Sequence, residues 1–353
     1  MNERLRWLRN SLKSQGIQGM IISNPINIKY LTNISAEGIL LMTLRENVFI
    51  TDDRYIEEVR RTLTVDDEIV VTNARNVSVE DYENFFMFCE NVGFEENYVT
   101  YSKYKEYMRK YKINDFVETE GIIEKQRLIK DEEELENIRK ACEITDSCFA
   151  HLLNFIKKGM TEKQIAEEVE IYFKANGANG TSFDTIVASG ENSSIPHAVP
   201  GDRKIQSGDI ITIDMGCKYN GYCSDMTRTI FVDYVDEYMK EVYDLVRKNQ
   251  ELALTEMHDG ACIKNVAKMV ECNFKLHDQE LVHALGHGVG LEIHEDPIIS
   301  SRNERILKTG MVVTDEPGIY LPGKFGVRIE DTVYIKETEC EVLTKSNKEY
   351  CVI

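Results

Sequence analysis

Two stretches of this chain place acids beside apolar, β-branched runs in the same way: ITIDMGCKYNGYCSDMTRTI (Ile211–Ile230) and VVTDEPGIYLPGKFGVRIEDTVYI (Val312–Ile335). Each reads as strand, acid, glycine two residues on, tyrosine, turn, acid, strand. Asp214 and Asp225 of the first copy thereby correspond to Glu316 and Glu330 of the second. One acid beside a turn is ordinarily a solvated side chain. Four in matched positions are a different case, because carboxylates facing one cleft repel one another and are driven towards protonation unless cations neutralise them. Two divalent ions carry about four positive charges, enough to balance four carboxylates.

A nitrogen donor is available in LVHALGHGVGLEIHEDP (Leu281–Pro297). His287 lies between Gly286 and Gly288, which permit close backbone approach, and His283 and His294 flank it. With His197, these are four of seven histidines, all in segments punctuated by glycine or proline. The spacing is neither that of a zinc finger nor that of H-E-x-x-H, since no thiolate pair and no helical glutamate stands between the histidines. Oxygen donors with one imidazole suit Mn²⁺, Co²⁺, Fe²⁺ or Zn²⁺. Two such ions about 3.5–4 Å apart can share a hydroxide, lower its proton affinity and polarise a carbonyl, so hydrolysis is the expected chemistry.

These residues must be held by strands and buttressed by helices. Thr185–Ala188, Ile210–Asp214, Asp225–Val232, Gly310–Glu316 and Val327–Ile335 read as strands. Alternation along them sets Asp225, Thr227 and Thr229 on one face, and likewise Arg328, Glu330 and Thr332. Asp131 with Glu134 forms a capping box ahead of an amphipathic helix that Gly159 is expected to stop, and Thr161 with Gln164 opens a second helix ending near Gly177. Asp236–Glu256 and Ile263–Lys275 complete a set of four. The first third reads as a small α/β unit: a helix over 2–15, a strand near Met20–Ser23, a hairpin pair at Ile39–Leu44 and Asn47–Thr51, and a helix near Lys103–Tyr111. The fold class expected is α+β, with domains 1–124 and 125–353.

Composition narrows the function classes. The formal charge of −19, with no long cationic run, excludes a duplex-binding surface, so no nucleic-acid partner is expected. No stretch approaches the roughly 18 apolar residues of a membrane span. Nine cysteines without a C-x-x-C pair fit a reducing compartment, and the charged opening MNERLRWLRNSLKSQG lacks the apolar run of a signal peptide; a cytoplasmic location is expected.

At these motifs the sequence resembles the pita-bread metallopeptidases, specifically the prolidase and aminopeptidase P branch. The likeness rests on IDMG, SDMTRT, GHGVG, DEPGIY and VRIEDT and covers essentially the whole length. It implies a creatinase-like N-terminal domain followed by a pita-bread catalytic domain, an antiparallel sheet covered by helices. It further implies that Asp214 holds one metal, Asp225 and Glu330 bridge two, and His287 with Glu316 hold the other, manganese being the expected ion. His197, in SSIPHAVPG, becomes a substrate-side histidine; His283 and His294 orient substrate and stabilise the tetrahedral intermediate; Arg328 orients a bridging carboxylate; Glu316 shuttles a proton. The implied activity is hydrolysis of the bond before proline in Xaa-Pro dipeptides or in peptides with proline second, by a homodimer. The alternatives are a methionine-aminopeptidase-like hydrolase and a non-catalytic peptide-binding protein of the same fold. Asp315 departs from the pattern, standing where an apolar neighbour of the metal-binding glutamate is usual; alternation turns it away from the metals.

Overall fold

Three of the four long helices begin where a side chain caps them. Asp131 accepts from the Glu134 amide while the Glu134 side chain accepts from the Asp131 amide, opening the helix Glu132–Phe155. Thr161 and Gln164 repeat the exchange for Glu162–Ala175. Each box satisfies amides that the helix itself leaves orphaned. The first helix ends at Phe155, four residues before Gly159, with Ile156 as its C-cap in extended backbone. Gly159 (φ +87) instead shapes the turn into the next helix, a correction to the expected stop. Glu237–Glu256 and Ile263–Leu276 follow as expected.

The computed structural model describes residues 2–63 and 68–353. Contacts divide the chain into two units, Met1–Arg127 and Leu128–Ile353. The first is a six-stranded sheet in the order 69–73, 47–51, 39–43, 19–22, 92–94, 116–118, antiparallel at the centre and parallel towards both edges. The helix Glu3–Ser14 buries Leu5, Leu8 and Leu12, the face its periodicity announces.

The second unit repeats one plan twice. In the first half, Ile186–Ser189, Ile210–Met215 and Met226–Phe231 form an antiparallel sheet. Its apolar face (Val187, Ile211, Ile213, Ile230) packs on Phe149, Leu152, Val169 and Phe173 of the first helix pair. In the second half, Glu295–Ile299, Gly286–Gly288, Val312–Asp315, Asp331–Ile335 and Cys340–Val342 form a five-stranded antiparallel sheet. Val313, Val333 and Ile335 there pack with Tyr243, Val246, Val270 and Phe274 of the second pair. Burying such side chains stabilises by about 1.5–3 kcal/mol each, which is what fixes both sheets under their helices. The α+β class is thus realised.

The expected strand Val327–Ile335 is in fact two. Phe325–Arg328 pairs with Gly318–Leu321, whereas Asp331–Ile335 pairs with Val312–Asp315, and the chain leaves one ladder for the other at Ile329–Glu330. The break lies at the acid of the motif and takes Glu330 out of both ladders. Its amide donates instead to the Thr227 carbonyl.

Candidate functional site

Tight turns bring the acids to one place. Asn220 and Gly221 both have positive φ and close the first hairpin, the geometry that matches the twist of two antiparallel strands. Gly216 lies so close to the Ser224 carbonyl that a Cβ would overlap it, so the two chains can converge beside Asp225. Gly286 and Gly288 play the same part around His287: side chains there would overlap the carbonyls of Thr314 and Asp296.

One donor atom each from Asp225, His287 and Glu330 lies within 4.8 Å of the others. His287 Nε2 is 3.5 Å from Asp225 Oδ2 and 3.4 Å from Glu316 Oε1. Glu330 Oε2 accepts from Thr227 Oγ1 at 2.7 Å, and Glu316 Oε1 from Thr314 Oγ1 at 3.2 Å. Asp214 joins through Arg328, whose Nη2 donates to its Oδ2 at 2.7 Å; Asp214 Oδ1 is buried with no hydrogen-bond partner among the described residues. Asp214, Asp225, His287, Glu316, Glu330 and Arg328 thus line one cavity of about 750 Å³ together with His197, His283 and His294. Every residue singled out in the sequence for this site therefore lines that cavity.

The electrostatics follow from burial. The carboxyls of Asp225 and Glu330 are pushed well above the ordinary range, by desolvation first and then by the neighbouring acids. Burial likewise raises Glu316 to about 8. Desolvation lowers His287 and His283 to about 4, so both rings are neutral at pH 7. His287 Nδ1 lies 3.0 Å from the Gly288 carbonyl, which can only accept, so this nitrogen carries the proton and Nε2 presents a lone pair. Once those carboxyls ionise, that lone pair faces Asp225 and Glu316 acceptor against acceptor, with the orphaned oxygen of Asp214 in the same cavity. Such a donor set fits divalent cations, which turn every one of these repulsions into a bond.

Around the acids, His283 Nδ1 donates to the Ala284 carbonyl, and its Nε2 accepts from the Tyr320 hydroxyl at 3.0 Å. Tyr320 Oη in turn accepts from Arg328 Nη1 at 2.7 Å. A continuous path Asp214–Arg328–Tyr320–His283 results. The His294 ring stands edge-on to His287, centroids 4.4 Å apart, and both His294 and His197 are exposed to the cavity.

Two contributors escaped the sequence reading. Tyr320 is one, although the tyrosine of the repeated hairpin plan was a signal for it. Glu162 is the other. Buried at the first position of its helix, it accepts from the amides of Ser189 and Gly201 and from Asn192 Nδ2, which clamps both ends of the loop carrying His197. An acid in a first helical turn is commonplace, so no local signal marked it. Asp315 is fully buried on the opposite side of its strand, paired in register with Asp331, as alternation required.

Set beside known proteins, the chain matches the profile of Metallopeptidase family M24 over residues 136–337 and that of the Creatinase/Prolidase N-terminal domain over residues 4–129. It is 36% identical over 354 residues to an Xaa-Pro dipeptidase of Pyrococcus furiosus, covering 99% of each. Among solved structures, an Xaa-Pro dipeptidase from Bacillus anthracis matches with a TM-score of 0.94 at 34% identity, covering 99% of both chains. An X-Pro aminopeptidase from Thermotoga maritima matches with a TM-score of 0.89 at 32% identity, over 98% of this chain and all of that one (100%).

Proposed function

The chain belongs to metallopeptidase family M24, with a creatinase/prolidase N-terminal domain and a catalytic domain of the pita-bread fold, and we propose that it is a two-metal exopeptidase hydrolysing the bond before proline. As a member of that family it is a metal-dependent peptidase. The observation that carries the reading is the convergence of Asp225, Glu330 and the unprotonated Nε2 of His287, a donor set that suits cations once the carboxyls ionise.

Asp214, Asp225, His287, Glu316 and Glu330 would hold two divalent ions, manganese in our reading, with Asp225 and Glu330 shared between them. When bound, the ions supply Lewis acidity for the substrate carbonyl and make water acidic enough to act as a nucleophile near neutral pH. Arg328 fixes the rotamer of Asp214 through its 2.7 Å contact. Glu316 takes a proton at Oε2, the oxygen not bonded to Thr314, and returns it to the leaving nitrogen. His294 donates to the developing oxyanion, His283, with both ring nitrogens engaged by Ala284 and Tyr320, orients the Tyr320 hydroxyl, and His197 meets the substrate from its clamped loop. An X–Pro bond is a tertiary amide without an N–H, so it offers peptidases one handle fewer than an ordinary bond. Its recognition here is supported by the Xaa-Pro peptidases among the relatives.

We place the domains at 1–124 and 125–353 and expect a cytoplasmic homodimer; sedimentation tests the assembly. Among the described residues, no helix is long and apolar enough to cross a membrane. The activity is tested by following alanine release from Ala-Pro and Ala-Pro-Xaa peptides with manganese-loaded protein. Cleavage of at least one is expected; cleavage of Met-initiated peptides alone would point to methionine-aminopeptidase chemistry instead.

A further inference from the structure

The cavity's charges bear on how long its substrate is. Among the described residues that line it, Arg328 is the single lysine or arginine. That guanidinium is already engaged: Nε donates to Thr227, Nη1 to Pro196 O and Tyr320 Oη, and Nη2 to Asp214. Four of the five N–H donors of an arginine are thereby used. Two acids of the lining, Glu295 and Asp296, are neutralised from behind by Lys130 and Arg305. Asp184 differs from both. It is exposed at the cavity and enters no ion pair or hydrogen bond among the described residues.

Its place is fixed by the fold. Asp184 stands two residues before Ile186, and Ile186 is the register partner of Asp214. Two residues of chain reach at most about 7 Å, so the Asp184 carboxylate belongs to the wall beside the acids that would hold metal. The lining also exposes the apolar side chains of Val199 and Ile298.

A dipeptide ending in proline carries a free carboxylate one residue beyond the scissile bond. Taken out of water, that charge needs a cationic partner. If the ions balance the four ligand carboxylates, the free charge left on this wall has the same sign as the incoming one. In a longer peptide an amide occupies that place and brings no charge.

We propose that the site selects peptides that continue past proline over free Xaa-Pro dipeptides, and that Asp184 enforces the choice by repelling a terminal carboxylate and accepting a cationic group there. The proposal rests on the Xaa-Pro reading above and names the substrate class within it. The test compares Ala-Pro, Ala-Pro-amide and Ala-Pro-Lys-amide as substrates of manganese-loaded wild type and Asp184→Asn. In the wild type at low salt, kcat/KM for the amide should exceed that for the acid by about tenfold, with the lysine peptide best. The ratio should shrink as salt screens the charges. Asp184→Asn should cut the amide-to-acid ratio by about threefold or more. Equal or faster cleavage of the free acid by the wild type overturns the proposal, and an unchanged ratio in Asp184→Asn overturns the role of that residue. Failure on all three substrates, with Met-initiated peptides cut, would instead remove the Xaa-Pro reading beneath it.

Discussion

Replacing Asp315 by asparagine should make the protein more stable, by an amount that grows with pH. Asp315 is fully buried, and neither carboxyl oxygen has a hydrogen-bond partner among the described residues. Its register partner Asp331 is the opposite case: it accepts from Arg228 and Thr344 on one oxygen and from Gln250 and Lys348 on the other, at 2.7–2.9 Å. Burial, and then the charge of Asp331, push Asp315 well above its ordinary value of 3.8, only partly offset by Lys348. The folded chain therefore keeps the Asp315 proton at pH values where the unfolded chain has released it. Stability then falls as pH rises from the unfolded value until the folded group ionises, at about 1.4 kcal/mol per pH unit. Asparagine has the same size and does not titrate, so the variant lacks this loss. The difference in unfolding free energy between variant and wild type should widen as pH rises from 5 to 8, at a slope of up to about 1.4 kcal/mol per pH unit. In a unit of this size that slope is a gap in Tm growing by up to roughly 3–5 °C per pH unit. Far-UV circular dichroism in urea and heat is the suitable assay, because the single tryptophan, Trp7, reports only the first unit. A difference that stays constant or narrows with pH, or a variant less stable than wild type at pH 8, would refute the reasoning.

Gly286→Ala should destabilise by about 3 kcal/mol or more and lower metal uptake, since the added Cβ overlaps the Thr314 carbonyl and forces apart the strands that aim His287 and Glu316; thermal unfolding and metal analysis read both effects. Removing metal with a chelator should lower Tm by roughly 5–10 °C when the ion had been present at about a hundred times its Kd. That deficit should widen as pH rises. Asp225 and Glu330 hold protons in the folded, ion-free chain where the unfolded chain has lost them, so ion-free stability falls with increasing pH. A Tm indifferent to the chelator would count against the site.

What the sequence carried best was chemistry written in local motifs. Capping boxes at Asp131 and Thr161 fixed where helices start, and the repeated hairpin put Asp214, Asp225, Glu316 and Glu330 in corresponding positions before any contact was known. The glycines beside His287 were legible as places of close approach, though not which carbonyls they approach. Features set by distant partners were hidden. The switch of ladders at Ile329–Glu330 depends on which strand each half pairs with, and the apolar alternation of Phe325, Val327 and Ile329 resumes at Val333 and Ile335 in the same phase, interrupted only at Asp331. Glu162 reads as a first-turn acid until Ser189, Asn192 and Gly201 close on it. Asp315 was recognised as unusual, but its neighbour Asp331, with the cations of Arg228 and Lys348 beyond, comes from pairing across the sheet.

The most direct test of the two-ion site is a count of bound metal in wild type and in Asp225→Asn after dialysis against manganese, by elemental analysis. Wild type should retain two ions per chain and the variant distinctly fewer, with alanine release from proline peptides abolished. Retention of the full complement by Asp225→Asn, or the binding of none by wild type, would contradict the claim that these acids are held together by shared cations.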